Sequence, residues 1–178
     1  MKNFLNVKLM DHAKLLFPIC RSLTGDGVRQ TLAYFESYHP EWTRSKVKTG
    51  ERYYDWEVPL EWNIKDAYIE HLDSGKRYAE FKKCNLHIVG YSSPIDMKID
   101  LKDFCHRIHT QPDQPEWIPY VTSYYKDYWG FCLSEKQKKL LPKGEYKVFI
   151  DSKFKKGSLD MMHAVIKGKS KKEILFTS

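Results

Sequence analysis

The order of hydrophobic patterns along this 178-residue chain is the feature that most constrains its fold. Apolar residues recur at three- and four-residue spacing from Leu5 to Ile19 and again from Gly27 to Tyr38, which predicts two helices. From Trp42 onward, apolar residues lie mainly in short extended segments that are separated by turn residues. Helices at the start and strands afterwards predict a mixed α/β protein.

The extended segments follow one another closely, with few helices between them. Short helices are predicted after the capping residue Asp100 and after Ser134, which forms a capping-box pattern with Gln137. We predict three parts, namely N-terminal helices and first strands at 1–60, a β-rich inserted domain at 61–141, and a return to the surrounding framework at 142–178. The predicted strands are Thr43–Lys48, Tyr53–Val58, Lys65–Leu72, Tyr78–Lys82, Asn85–Ser92, Tyr146–Asp151, Leu159–Lys167 and Glu173–Thr177.

The net charge of +7 is concentrated at one end of the chain. The segment from Lys136 to Ser178 contains twelve lysines and no arginine, against four acidic residues. Lysine gives diffuse charge without the bidentate fork that arginine offers to phosphate. We therefore expect a solvated, lysine-rich face rather than a surface that binds nucleic acid.

Several features favour a soluble protein of the cytoplasm. No stretch approaches the length of apolar sequence that spans a membrane, and the N-terminus lacks the pattern of a signal peptide. The four cysteines are widely spaced, and Cys20 and Cys132 lie in apolar or aromatic surroundings. This distribution favours buried thiols in a reducing compartment over disulfides.

Two stretches contain candidate binding residues. The turn-rich segment 21–27 is typical of a helix cap, and in the alternative interpretation Arg21 and Asp26 lie on the rim of a cleft. The aromatic run 117–131 either builds the core of a small β-rich unit or presents rings for stacking on a ligand. From this run, Trp117 and Tyr124 are the candidates for the substrate side of a cleft.

No residue pattern predicts a complete metal or nucleophile site. His106 and His109 have the spacing of one helical turn, but zinc requires three or four ligands and no further ligand lies nearby in the sequence. We therefore expect surface or partly buried histidines there. The chain has no phosphate-binding loop and no nucleophile elbow.

Three stretches, at residues 16–29, 55–69 and 114–125, resemble the N-terminal part of bacterial aminopeptidase-like proteins that are associated with surface-polysaccharide gene clusters. The resemblance implies an incomplete zinc-aminopeptidase-type layered α/β framework that a β-rich domain interrupts. It also implies a chemistry in which metal-activated water attacks a peptide-like carbonyl. A longer form would accept a peptide-like or amino-sugar substrate.

The same resemblance implies where the metal ligands lie. In such proteins the strand that matches Glu173–Thr177 leads into the first of them, so the zinc ligands and the catalytic carboxylate are expected beyond Ser178. We therefore assign no catalytic residue, metal ligand or bound cofactor to this chain, and we expect it to lack catalytic activity by itself. The alternative is a non-catalytic module that binds an acidic glycan or a protein partner through the aromatic insert. The sequence specifies no oligomeric state.

Overall fold

Two packed helices open the part of the chain that the computed structural model describes, which is residues 8–177. Helix α1 spans Leu9–Leu16 and helix α2 spans Asp26–Glu36. His12 of α1 is buried, its Nδ1 is hydrogen-bonded to the hydroxyl of Tyr34 on α2, and its ring lies edge-on to Tyr34 and Tyr38. This aromatic contact joins α1 to α2. The predicted start of the first helix at Leu5 lies outside the described residues.

A four-stranded antiparallel sheet forms the centre of the fold, in the order β5–β4–β9–β6. Its longest strand, β9, alternates between buried residues such as Tyr146, Val148 and Ile150 and more exposed neighbours. This period of two is what a sheet with one buried face requires. The four strands are β4 (Glu61–His71), β5 (Lys76–Tyr78), β6 (Ile95–Asp100) and β9 (Glu145–Lys155).

Smaller elements surround this sheet. Strand β1 (Thr43–Lys48) pairs antiparallel with β10 (Ser158–His163), which directly follows β9 in the chain. The remaining elements are the hairpin of β2 (Arg52–Tyr53) and β3 (Trp56–Glu57), the parallel pair β7 (Ile108–His109) and β8 (Phe131–Cys132), helices α3 (Leu101–Phe104) and α4 (Glu135–Lys139), and 3₁₀ turns at Asn85–His87 and Cys105–Arg107.

The hydrophobic core lies between the buried face of the central sheet and the irregular chain that crosses it. Ile69 of β4 and Val148 of β9 pack with Phe104, Phe131 and Leu133, and all five are almost fully buried. The core therefore combines residues from both sides of position 141. Within residues 8–177, the structure contains no helix that is long and apolar enough to cross a membrane.

Several predicted features are confirmed. The fold is mixed α/β, with helices before strands. The strand Thr43–Lys48 has the predicted bounds. The side chain of Asp100 accepts a hydrogen bond from the Lys102 amide at the start of α3, and Ser134 forms the complete capping box with Gln137 at the start of α4.

Four predicted strands are wrong. Tyr78–Lys82 is extended only at Tyr78, where β5 ends, because the chain turns at Ala79, whose φ is 49°. Tyr53–Val58 is divided between β2 and β3 by a turn in which Tyr54 has a φ of 59°. Asn85–Ser92 begins as a 3₁₀ turn, because its apolar residues enter the core from irregular backbone rather than from a ladder. Glu173–Thr177 has no strand partner within the described residues, and Leu159–Lys167 ends as a strand at His163.

The local structure at the predicted histidine pair also differs. Helix α3 ends at Phe104, so His106 lies in a 3₁₀ turn and His109 lies in β7, not on one α-helical turn. Strand β6 was not predicted, although its sequence Ile95–Asp100 alternates apolar and charged residues in the manner of a half-buried strand. The pairing of β6 with β9 holds it at the edge of the sheet.

Candidate functional site

The first three residues of β4 organise the candidate site. Trp62 is buried, and its indole Nε1 donates to the Ser92 carbonyl at 2.9 Å. Asn63 accepts a 2.7 Å hydrogen bond from the backbone amide of Asp26 at the start of α2. Glu61, also buried, pairs with Arg29 one turn further along α2. These contacts fix the N-terminal end of α2 against β4.

The turn-rich segment before α2 has a shape that two glycines make possible. Gly25 has a φ of 105°, and a Cβ there would lie 2.5 Å from the Trp62 carbonyl oxygen. Gly27 approaches the Cys20 carbonyl too closely to leave space for a side chain. Both positions therefore require glycine. The segment acts as the predicted entry to the helix, although the capping oxygen comes from Asn63.

A cluster of charged residues secures the same junction. Arg29 donates to the Glu61 carboxylate, and Ser158 contributes its backbone amide to Glu61 at 3.2 Å. The buried carboxylate of Asp160 lies 3.6 Å from Arg29 and 3.3 Å from Arg44. The hydrogen bond from Arg29 lowers the pKa of Glu61 to about 2, against an opposing effect of burial. The cluster joins α2 to β4 and to the β1–β10 pair.

A cleft of about 150 Å³ lies beside this junction. Its apolar wall includes Phe17, Ile19 and Ile88, and Trp62 contributes to the same wall. Its polar groups come from Arg21, Ser22, Asn85 and Tyr120. Thus the chain before α2, the start of β4, the 3₁₀ turn and the aromatic run meet at one place.

The polar groups of the cleft retain capacity for a ligand. Arg21 is exposed and donates to the Leu16 carbonyl at 2.6 Å, and among residues 8–177 no carboxylate lies within ion-pair distance of it. The Ser22 hydroxyl is buried without a hydrogen-bond partner in that range. Burial of its hydroxyl, together with the neighbouring Tyr124, raises the pKa of Tyr120 to about 12. The phenol is therefore a neutral donor near pH 7.

Of the four residues predicted for a substrate cleft, one lines the cleft described above and three lie elsewhere. Arg21 lines it, whereas Asp26 forms an ion pair with Arg29. Trp117 is 63% exposed on a separate loop. Tyr124 is partly buried and packs edge-on against Tyr91 at 4.7 Å between ring centroids. The structure assigns these contacts, and the roles of the four residues in substrate binding stay predictions.

The zinc implied by the resemblance has no fitting site among residues 8–177, where no group of three His, Cys, Asp or Glu side chains could hold a metal ion. His87 Nδ1 donates to the Cys132 carbonyl at 2.8 Å. His71 lies between the Ser74 hydroxyl at 2.9 Å and the Lys143 carbonyl at 3.1 Å. His109 Nε2 is 2.8 Å from the Tyr128 hydroxyl. These imidazoles serve internal hydrogen bonds.

Cys20 and Cys132 are not activated nucleophiles. Burial raises the pKa of Cys132 to about 12 and that of Cys20, at the cleft, to about 11. Both are therefore protonated near pH 7, and a protonated thiol is a poor nucleophile and metal ligand. All four cysteines are free, as their spacing predicted.

Sequence reasoning missed Ser22, Trp62, Asn85 and Tyr120 as residues of the cleft. Tyr120 lies in the aromatic run 117–131, from which Trp117 and Tyr124 were the predicted candidates. The other three carry no local signal, because only the tertiary packing of β4 and the 3₁₀ turn against residues 17–22 brings them together.

A family model described as "Domain of unknown function (DUF2172)" matches residues 61–153, which is more than half of the chain. The chain therefore belongs to this family. The matched range contains β4 to β8 and most of β9, and so includes the whole central sheet except the end of that last strand.

A curated sequence and a solved structure, both from Clostridium acetobutylicum and both longer than this chain, extend the likeness and confirm the resemblance to aminopeptidase-like proteins. One, provisionally named a polysaccharide biosynthesis protein with aminopeptidase-like domain, is 42% identical over 163 residues, which cover 92% of this chain and 37% of that protein. The other is a crystal structure titled as a provisional peptidase, with 42% identity and a TM-score of 0.79 over 84% of this chain and 35% of that one. The chain thus spans just over a third of the length of these relatives.

Proposed function

We propose that this chain is the non-catalytic portion of an aminopeptidase-like zinc hydrolase of polysaccharide biosynthesis. In this proposal the whole enzyme acts in the cytoplasm on a peptide-like or amino-sugar substrate. In this proposal the chain contributes the first part of a layered framework and its β-rich insert, and it has no hydrolytic activity by itself. The descriptions of the clostridial sequence and of the clostridial structure support the class of protein, and the four free cysteines support a reducing compartment.

One observation carries the proposal. The buried carboxylates and imidazole that could bind a metal ion already have partners within the fold. The buried carboxylates of Glu61 and Asp160 are neutralised by Arg29 and Arg44, and the buried imidazole of His87 is committed to a backbone carbonyl. A hydrolytic zinc needs about three protein ligands that face one open position. Freeing Glu61 or Asp160 would break contacts of Arg29 that hold α2 to β4 and β10.

Metal analysis combined with an activity assay tests this proposal. The purified chain is incubated with zinc sulfate, dialysed and measured for zinc by mass spectrometry, and its hydrolysis of amino-acid amides is followed with and without added zinc. We expect zinc well below one ion per chain and no turnover above the blank. One retained zinc per chain together with turnover would overturn the proposal.

A second function is favoured by the exposed aromatic residues of the insert. Trp117 and Tyr125 are 63% and 62% exposed, so more than half of each residue's surface is accessible to a partner. They support binding of an acidic glycan without catalysis. We expect salt-sensitive binding of such a glycan that Trp117→Ala abolishes, whereas the control Tyr54→Ala, at a fully exposed ring outside residues 61–141, leaves it intact. An absence of binding at low salt would contradict this function.

A further inference from the structure

We propose that the cleft beside Arg21 binds a single acidic sugar ring, a uronic acid, with its carboxylate on the Arg21 guanidinium and its ring against Tyr120. This inference deepens the second proposed function and rests on it, because it names the ligand class and the residues that recognise it. It requires no catalytic step.

The cation at the cleft fixes the charge of the ligand. Arg21 keeps one nitrogen on the Leu16 carbonyl, which orients the guanidinium, and within residues 8–177 it has no carboxylate partner. A guanidinium held in this way offers its remaining N–H groups as a fork to a carboxylate. The described lining contains no other cationic side chain. A single cation matches a monoanionic carboxylate better than a phosphate.

The rest of the lining argues against a free amino acid as the ligand. Of the eleven described residues that line the cleft, none is acidic. A free amino acid would therefore bring an ammonium group that finds no counter-charge, which is costly in a partly desolvated site. A uronic acid carries only the carboxylate and neutral hydroxyls.

The size and walls of the cleft fit one ring. A cavity of about 150 Å³ accommodates a six-membered ring. Tyr120 is 65% exposed and offers a ring face on which the C–H groups of a pyranose can stack. Asn85 donates its amide to the Phe17 carbonyl at 3.0 Å, so its side-chain oxygen can accept from a sugar hydroxyl.

The buried Ser22 hydroxyl is the second observation that points to a ligand. It lies at the wall of the cleft without a hydrogen-bond partner among the described residues, an arrangement that folded proteins avoid. In the proposed complex the Ser22 hydroxyl donates to a ligand oxygen, so the bound sugar supplies the partner that the described residues do not.

Binding of sodium D-glucuronate to the purified chain, followed by NMR titration at low salt, tests the inference. We expect saturable binding with a Kd on the order of 1 mM, the usual scale for so small a ligand in an open cleft. D-Glucose, which has the same ring without the carboxylate, should bind at least about ten-fold more weakly. No saturation with D-glucuronate, or equal affinities for the two sugars, would overturn the inference.

Matched variants locate the binding. Arg21→Gln should weaken D-glucuronate binding about ten-fold or more and leave D-glucose unaffected, and Tyr120→Leu should weaken both sugars. Arg52→Gln, an exposed arginine outside the cleft, is the control and should change neither Kd. The thermal midpoint of each variant confirms that the fold is retained, and Arg21→Lys is the substitute if Arg21→Gln fails to fold. An unchanged Kd in Arg21→Gln would refute the assignment, and so would a raised Kd in the control Arg52→Gln.

The failure of this inference can be separated from the failure of the underlying function. If a long acidic glycan binds in a manner that depends on Trp117 but not on Arg21, the cleft assignment is wrong and the binding function stands. If neither D-glucuronate nor the long glycan binds at low salt, both are wrong.

Discussion

The substitution Glu61→Gln tests whether the buried ion cluster holds α2 to the sheet. The side chain of Glu61 is only 3% exposed and accepts from Arg29, from the Ser158 amide at 3.2 Å and from Lys155 at 3.3 Å. Glutamine has nearly the same shape, so the change removes the charge and one acceptor without creating a cavity. Arg29 then loses its principal partner.

The pKa of Glu61 sets the scale of the expected loss. A decrease from 4.5 to about 2 corresponds to about 3 kcal/mol of stabilisation for the charged form. Arg29 and Lys155 are 25% and 56% exposed, so solvent screens part of this interaction. We therefore expect Glu61→Gln to lower the free energy of unfolding by about 2 kcal/mol, which is about 1 M in the urea midpoint of a domain this size.

The pH dependence of unfolding gives an independent check. Because the pKa of Glu61 is lower in the folded state, its contribution is fully present above about pH 4.5 and is lost as the pH falls toward 2. The difference in unfolding free energy between the wild type and Glu61→Gln should therefore be largest near pH 7 and should shrink through this range. Urea denaturation followed by circular dichroism at a series of pH values measures it.

The surface pair of Glu116 and Lys136 provides the control. Both side chains are mostly exposed, so Glu116→Gln should leave the urea midpoint unchanged. A midpoint for Glu61→Gln that matches the wild type at pH 7, or a difference that stays constant down to pH 2, would refute the reasoning.

Three further predictions follow from local geometry. Gly27→Ala should destabilise the fold by about 1–3 kcal/mol in urea denaturation, because the new methyl group meets the Cys20 carbonyl; a neutral effect would contradict the close packing. Ser134→Ala should cost about 1 kcal/mol in the same assay, because it removes the capping box, and an unchanged midpoint would argue against it. In thiol labelling of the native protein, the exposed Cys105 should react well before the buried Cys132, and equal rates would be inconsistent with the structure.

The sequence predicted the elements whose patterns are local. Thr43–Lys48 alternates clearly, and the caps at Asp100 and Ser134 depend only on residues two or three positions away. In each case the physical cause lies within a few residues. Such elements can be recognised without knowledge of their partners.

The elements that the sequence did not predict depend on distant partners. The apolar residues of Asn85–Ser92 suit a strand, but the chain there enters the core between β4 and β8 and forms only isolated bridges, such as that of Ile88 with Phe131. Strand β6 forms against β9, but its alternation of apolar and charged residues is also a local strand signal, which the prediction missed. At Asn85–Ser92 tertiary packing decided the outcome and overrode local preference.

The candidate site also combines local structure with contacts to distant residues, and this affects how its variants must be interpreted. Residues 21–29 include both the cleft residue Arg21 and the residues that hold α2 against β4, so loss of ligand binding after a change in this segment has two explanations. Gly27→Ala should lower both the unfolding free energy and the affinity for an acidic sugar, because it displaces the turn that presents Arg21. Arg21→Gln should lower the affinity alone, because the exposed guanidinium makes one backbone hydrogen bond and no ion pair within residues 8–177. Only the variant that separates the two measurements identifies a residue that contacts the ligand.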